Sequence, residues 1–344
     1  MQPMIMDSND ENKTPDIPCC QPRMPVLAEL LCSEVSDHDL IESGARSLEH
    51  CDSSVMSYFD PAVLHHPEVM SRLKFLESQV ETPKSYFHSD DKSEILPFMR
   101  KVVASWMLEV CEEQRCDEAV FPLAISLLDH FLSDCLIKKE QLQLVACVCL
   151  LLASKTRQCN HFSLELLCWY TDNSVSPQSL RTWELAILAQ LNWDVNLITA
   201  MDFVDLLLVR SSEFEPYPSS NKHGSIVRRH AITFIALCST EPRFVGLKPS
   251  LIAASAIYAA VRGLRLEANN LAFLLSEMAS VSQDQLRFIS SSIEQVISSE
   301  IKVMEQQGLD GPLAKSVSSV SKGKACAYSS SVSSASQISE EVLV

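Results

Sequence analysis

The segment Leu142-Gln-Leu-Val-Ala-Cys-Val-Cys-Leu-Leu-Leu-Ala-Ser-Lys155 decides the fold. It reads as the core of a helix over Lys138–Ser154 that is apolar on every side after Leu142. Such a helix has to be surrounded by other helices. Its longest apolar run, Leu144–Ala153, is about half the ~20 residues a membrane span needs, so the expected surroundings are protein and no membrane partner is implied.

The flanking sequence supplies those helices. Before it, Met99, Val102, Val103, Trp106, Met107 and Val110 recur at i, i+3, i+4, i+7, which predicts a helix from about Leu96 to Glu113 with Pro97 in its first turn. A second covers about Ala119–Leu132, with Phe121, Ile125, Leu128, Phe131 and Leu132 inward. After the apolar helix comes a short one over Ser163–Tyr170, with Ser163 as N-cap. A fifth opens at Ser176-Pro177, an N-cap followed by proline at N1, and ends near Leu191. Residues 95–193 thus hold five helices and no glycine, and none occurs between Gly44 and Gly224. Glycine-rich loops let backbone N–H groups approach a phosphate, so neither a P-loop nor a dinucleotide fingerprint can be written here.

A second set follows. Thr199-x-x-Asp202 reads as a capping-box variant opening a helix over Ala200–Val209. Further helices are predicted near 225–239, 249–262, 268–278 and 283–305, and the third member, Leu251–Val261, again carries no charge. The reading is all-α: two consecutive five-helix folds over 95–198 and 199–305. Residues 67–94 form a short helix, centred on Glu68–Leu76, and a linker. Residues 1–66 read as irregular, with one apolar island at Val26–Cys32, and the serine-rich tail 306–344 as disordered.

Composition narrows the function. The chain has 28 basic and 44 acidic residues and a net charge of −16, which argues against DNA or RNA as a direct ligand. Its cysteine count of 13 is odd, and Met1–Asp16 is polar and acidic where a signal peptide would be apolar. Free thiols in a reducing, intracellular compartment are expected. Structural zinc is not: Cys147 and Cys149 point to different sides of an apolar helix, Cys111 and Cys116 lack a second pair at finger-like spacing, and His65 and His66 sit in a polar stretch. Cysteine acts here mainly as a small core hydrophobe, and no cofactor is implied.

Two charges stand in apolar contexts. Glu184 falls among Leu180, Trp183, Ile187, Leu188 and Leu191 on one helical face, and Lys155 ends the most hydrophobic helix of the chain. Desolvating either without a partner costs several kcal/mol. Lys155 can be a helix-dipole cap, with Glu184 at the solvent edge of its stripe. Alternatively, both lie at the rim of one surface and meet a partner. Met99, Val103 and Trp106 likewise form a row that spacing alone would assign to the core.

The segment Met99–Gln114 resembles the start of a cyclin box, specifically that of the D-type cyclins. The likeness continues through Val120–Ala124, Leu142-Gln-Leu, Leu152–Lys155, Tyr170–Ser174, Glu184–Trp193 and Arg229–Ala231. The resemblance implies two five-helix cyclin folds and a regulatory subunit rather than an enzyme. It implies that Lys155 and Glu184 grip a cyclin-dependent kinase of the four/six class. It also implies that Met99, Val103, Trp106 and Gln143 form an exposed patch docking Arg-x-Leu segments of substrates and kinase-inhibitor proteins. One departure is Thr156-Arg-Gln158, where relatives place a Glu in the third position. A Thr-Pro site in an acidic tail, frequent among relatives, is missing.

Leu30-Leu31-Cys32-Ser33-Glu34 fits L-x-C-x-E, the segment that binds retinoblastoma-type pocket proteins. In an extended strand Leu30, Cys32 and Glu34 project to one side. Burying the leucine is worth about 1.5–3 kcal/mol, which supports modest affinity. The family implies action in nucleus and cytoplasm at the G1/S transition, with nuclear entry through partners, since no strong basic import signal is present. Two rival readings make other demands on the chain. A cyclin-fold transcription adaptor would need a basic surface, and a cysteine enzyme would need an activated thiol, for which Cys159-Asn160-His161 is the one tempting cluster.

Overall fold

The helix caps carry much of the local structure. The computed structural model describes residues 60–83, 86–87, 94–211, 222–266 and 270–307; Leu30, Cys32, Glu34 and residues 308–344 lie outside them. In chain order the helices are α1 (Pro61–His65), α2 (Pro67–Gln79), α3 (Pro97–Glu113), α4 (Val120–Asp134), α5 (Leu142–Arg157), α6 (Leu164–Tyr170) and α7 (Pro177–Gln190). Then follow α8 (Met201–Arg210), α9 (Lys222–Thr240), α10 (Pro249–Gly263), α11 (Leu271–Ala279) and α12 (Gln283–Gln307). Among the described residues there is no strand. The chain divides into two compact units, one built on α3–α7 and one on α1, α2 and α8–α12, with the division after Leu197.

The polar N-caps act where the sequence puts them. Ser163 accepts from the Leu166 N–H at 3.1 Å and Ser176 from the Ser179 N–H at 3.1 Å. Asp202 accepts from both the N–H and the hydroxyl of Thr199, at 2.7 and 2.9 Å, so the second unit opens on a side-chain-locked turn. Many helices end on a residue at positive φ, the position glycine usually fills. Here Arg115, Asn192, Arg265 and Ser280 hold it instead, at φ 51°, 51°, 54° and 54°.

In the first unit α5 packs against α3 and α7. Every residue from Val145 to Ser154 is buried, as its uncharged sequence requires. A 3-10 turn over Lys139–Gln141 precedes it, so the regular helix starts later and ends later than the apolar run predicts. In the second unit α10 plays the same part, in contact with α8, α9, α11 and α12, and Ala253–Ile257 and Ala259–Val261 are buried.

Two expectations need correction, and α2, which the sequence left outside both sets, finds its place. Residues 60–66 are not irregular. Asp60 accepts from the Ala62 N–H at 2.9 Å and caps α1, and His66 ends α1 and starts α2 by accepting from the Glu68 N–H at 3.3 Å. A five-residue helix is too short to show apolar periodicity. Next, α2 belongs with the second unit: Met70 is buried in its core and Glu77 accepts from the Ser250 N–H at 2.7 Å. Lastly, Val102 is not on the inward face of α3 but 65% exposed. The inward face is Arg100, Ala104, Met107, Leu108, Val110 and Cys111, rotated from the expected stripe because it contains a buried arginine.

Candidate functional site

Lys155 and Glu184 meet. The Lys155 Nζ lies 3.0 Å from Glu184 Oε1, bridging the last turn of α5 and the middle of α7. The lysine side chain is 36% exposed and the glutamate 15%, so the pair sits at a surface and not in the core. Both readings drawn from spacing are thereby refined: each charge is the other's partner, and the α5–α7 contact fixes their separation. The apolar side of α7 below them is solid, with Leu180, Trp183 and Ile187 buried and Leu188 and Leu191 half-buried.

The end of α5 is held by Gln158. Its Oε1 accepts from the Asp117 N–H at 3.1 Å, and its Nε2 donates to the Asn160 carbonyl at 2.6 Å. A glutamate at this place could accept from Asp117 but could not donate to Asn160. Nearby, Arg157 donates to the Leu197 carbonyl at 3.1 Å. These bonds fix the backbone immediately after Lys155.

Met99, Val103 and Trp106 on α3, and Gln143 on α5, are all half-buried. The helices that carry them pack together. The row is therefore neither the core that spacing suggests nor a fully exposed patch. Phe98 and Val102, beside it on α3, are 61% and 65% exposed and add apolar surface.

A cluster that spacing did not reveal anchors α3. Arg100 is 1% exposed and forks onto Asp129 of α4, Nε to Oδ1 at 2.9 Å and Nη2 to Oδ2 at 2.8 Å. The Tyr86 hydroxyl donates to the same Oδ1 at 2.8 Å. Burial alone would make the guanidinium less basic, but Asp129 outweighs it and holds Arg100 above its usual range. Burial, then the charge of Asp129, pushes the Tyr86 phenol up. The visible clue was an arginine between Met99 and Val103, matched by an aspartate inside the apolar run of α4.

Among the described residues no three His, Cys, Asp or Glu side chains gather as metal ligands. Cys159 is exposed, and His161 uses Nδ1 on the Phe162 carbonyl at 3.0 Å. No helix is long and apolar enough to cross a membrane among the described residues.

Comparison with known proteins gives the family. Residues 68–196 match the model of the cyclin N-terminal domain and residues 198–319 that of the cyclin C-terminal domain. The G1/S-specific cyclin-D3 of Bos taurus is 43% identical over 250 residues, covering 72% of this chain and 83% of that protein. The G1/S-specific cyclin-D2 of Gallus gallus is 40% identical over 255 residues, covering 72% and 85%. The G1/S-specific cyclin-D1 of Canis lupus familiaris is 39% identical over 266 residues, covering 75% and 88%. A viral cyclin from herpesvirus saimiri shares the fold, with a TM-score of 0.58 at 23% identity, over 66% of this chain and 97% of that one. Two helical units in series, an uncharged central helix in each and close relatives of one kind agree: the chain belongs to the D-type, G1/S-specific cyclins.

Proposed function

We propose that this cyclin is the regulatory subunit of a cyclin-dependent kinase of the four/six class, and that it acts at the G1/S transition. The observation that carries the reading is the Lys155–Glu184 pair, 3.0 Å apart on adjacent helices, with its lysine end open to solvent. Paired side chains are held in place before a partner arrives, and the solvent-facing lysine leaves one end of the pair within reach. Docking at α5 and α7 would bias the kinase toward its active form by holding its C-helix inward, so that the C-helix glutamate reaches the ATP-site lysine. The cyclin supplies no phosphoryl-transfer group to that reaction and is not itself an enzyme.

The half-buried row Met99, Val103, Trp106 and Gln143 is assigned to short Arg-x-Leu segments of substrates and inhibitor proteins. Leu30, Cys32 and Glu34 are assigned to a retinoblastoma-type pocket protein. Holding that substrate on the same complex raises its concentration at the kinase. The place of action is nucleus and cytoplasm, with nuclear entry in company with partners.

Affinity capture from native extract tests the whole reading. Wild-type chain is expected to bring down both a cyclin-dependent kinase and a pocket protein. A Cys32→Ala/Glu34→Ala chain should keep the kinase and lose the pocket protein. Pocket-protein capture at wild-type strength by that variant removes the motif assignment, and a wild-type bait that brings down no kinase removes the regulatory role.

A further inference from the structure

The end of α3 brings two thiols together by backbone geometry alone. The Cys116 N–H donates to the Cys111 carbonyl at 2.9 Å, and the Arg115 N–H to the Glu112 carbonyl at 3.2 Å. With Arg115 at φ 51°, this is a complete Schellman ending, six-to-one and five-to-two bonds together. In that motif the side chains at the two ends of the six-to-one bond pack on each other, which is why an apolar contact commonly accompanies it. Here both ends are cysteines, so the backbone sets their side chains side by side.

The two sulfurs differ in ways that suit different roles. Cys111 is buried and Cys116 half-buried. The bond from Cys111 holds Cys116 below the ordinary thiol range against the effect of burial, and Gln158 assists. Its bond to Cys116, and then burial, push Cys111 well up. Cys116 is therefore the accessible nucleophile, and Cys111 the protected thiol beside it. At three other buried thiols the shift is upward: burial, then the charge of Cys168, pushes Cys147 up to about 12, and burial pushes Cys149 and Cys238 up as well.

We propose that Cys111 and Cys116 form a dithiol modification site that a small hydroperoxide oxidises to an intramolecular disulfide. The Cys116 thiolate attacks one oxygen of hydrogen peroxide. The O–O bond breaks, the sulfur becomes a sulfenic acid, and the departing hydroxide takes up the thiol proton as water. The Cys111 sulfur then attacks the Cys116 sulfur. The S–S bond forms as the S–O bond breaks, and the second hydroxide leaves as water with the Cys111 proton. Two thiols are oxidised and one peroxide is reduced to two waters. The proposal concerns the modification itself and stands whether or not α5 faces a kinase.

Arg115 makes the test direct, because trypsin cuts between the two cysteines and leaves them on peptides 102–115 and 116–138. The full-length chain is treated with hydrogen peroxide, remaining thiols are blocked with N-ethylmaleimide, and a non-reducing tryptic map is recorded by mass spectrometry. The expected result is a covalent pair of those two peptides, with fragmentation placing the bond at Cys116 rather than Cys135. The pair should vanish on reduction and be lost completely in Cys116→Ser, whose helical circular dichroism is unchanged. It should persist in Cys159→Ser. Maleimide on both cysteines after peroxide, sulfinic acid at Cys116 with Cys111 still alkylated, or Cys116 joined to any other cysteine would overturn the proposal.

Discussion

Arg265 ends α10 at φ 54°, with its N–H on the Arg262 carbonyl at 3.0 Å and the next N–H, of Leu266, on Val261 at 3.1 Å. A side chain with a Cβ is strained by about 1–3 kcal/mol in this region, and glycine is not. Part of that gain is offset by the greater freedom of an unfolded glycine chain. Arg265→Gly is therefore expected to stabilise the second unit by about 0.5–1 kcal/mol, read as a raised urea midpoint with an unchanged m-value. His230 carries a pH dependence. Its ring is 4% exposed and tilted against Phe234, and burial, then the charge of Arg229, holds it down at about 4 from an ordinary 6.5. Between those values the unfolded chain takes up a proton that the folded chain refuses, so stability falls as pH drops from about 6.5 toward about 4. Urea midpoints at neutral and mildly acid pH should show wild type losing on the order of 2 kcal/mol more than His230→Gln. Equal losses in the two proteins would contradict this role for the imidazole.

The elements show which signals a sequence carries. Ser163 and Ser176-Pro177 were legible because a cap is satisfied within three residues of itself. The buried helices α5 and α10 were legible because an uncharged run leaves only one environment. The face of α3 was not: Arg100 turns inward because Asp129 waits 29 residues away, and periodicity scores an arginine as outward. That one ion pair rotates Val102 into solvent and leaves Met99, Val103 and Trp106 half-buried. Removing one partner of a buried pair strands the other charge, so Arg100→Ala should cost about 3–5 kcal/mol. Arg100→Met with Asp129→Leu and Tyr86→Phe, which leaves no buried polar group stranded, should recover much of the loss, measured by chemical denaturation. A cost below 1 kcal/mol for the single change would mean that the fork does not anchor α3 on α4.

At the scale of the whole molecule, the order of ten helices in two sets could be read from caps and apolar runs, and α1 with the placement of α2 could not. The two charges were visible as anomalies, Lys155 after a buried run and Glu184 within an apolar stripe. Their mutual bond was not visible, because it joins residues 29 apart on helices whose packing angle no local rule supplies. We propose that this pair serves a kinase rather than the fold. The measurement is the affinity of a purified four/six-class cyclin-dependent kinase for wild-type chain and for Lys155→Glu/Glu184→Lys, by calorimetry. The exchanged chain keeps an ion pair between α5 and α7, so its circular dichroism and melting temperature should match wild type. Kinase binding is predicted to fall at least a hundredfold, because the kinase meets the two charges in reversed order, at a cost of about 2.7 kcal/mol. Wild-type affinity in the exchanged chain would contradict the account.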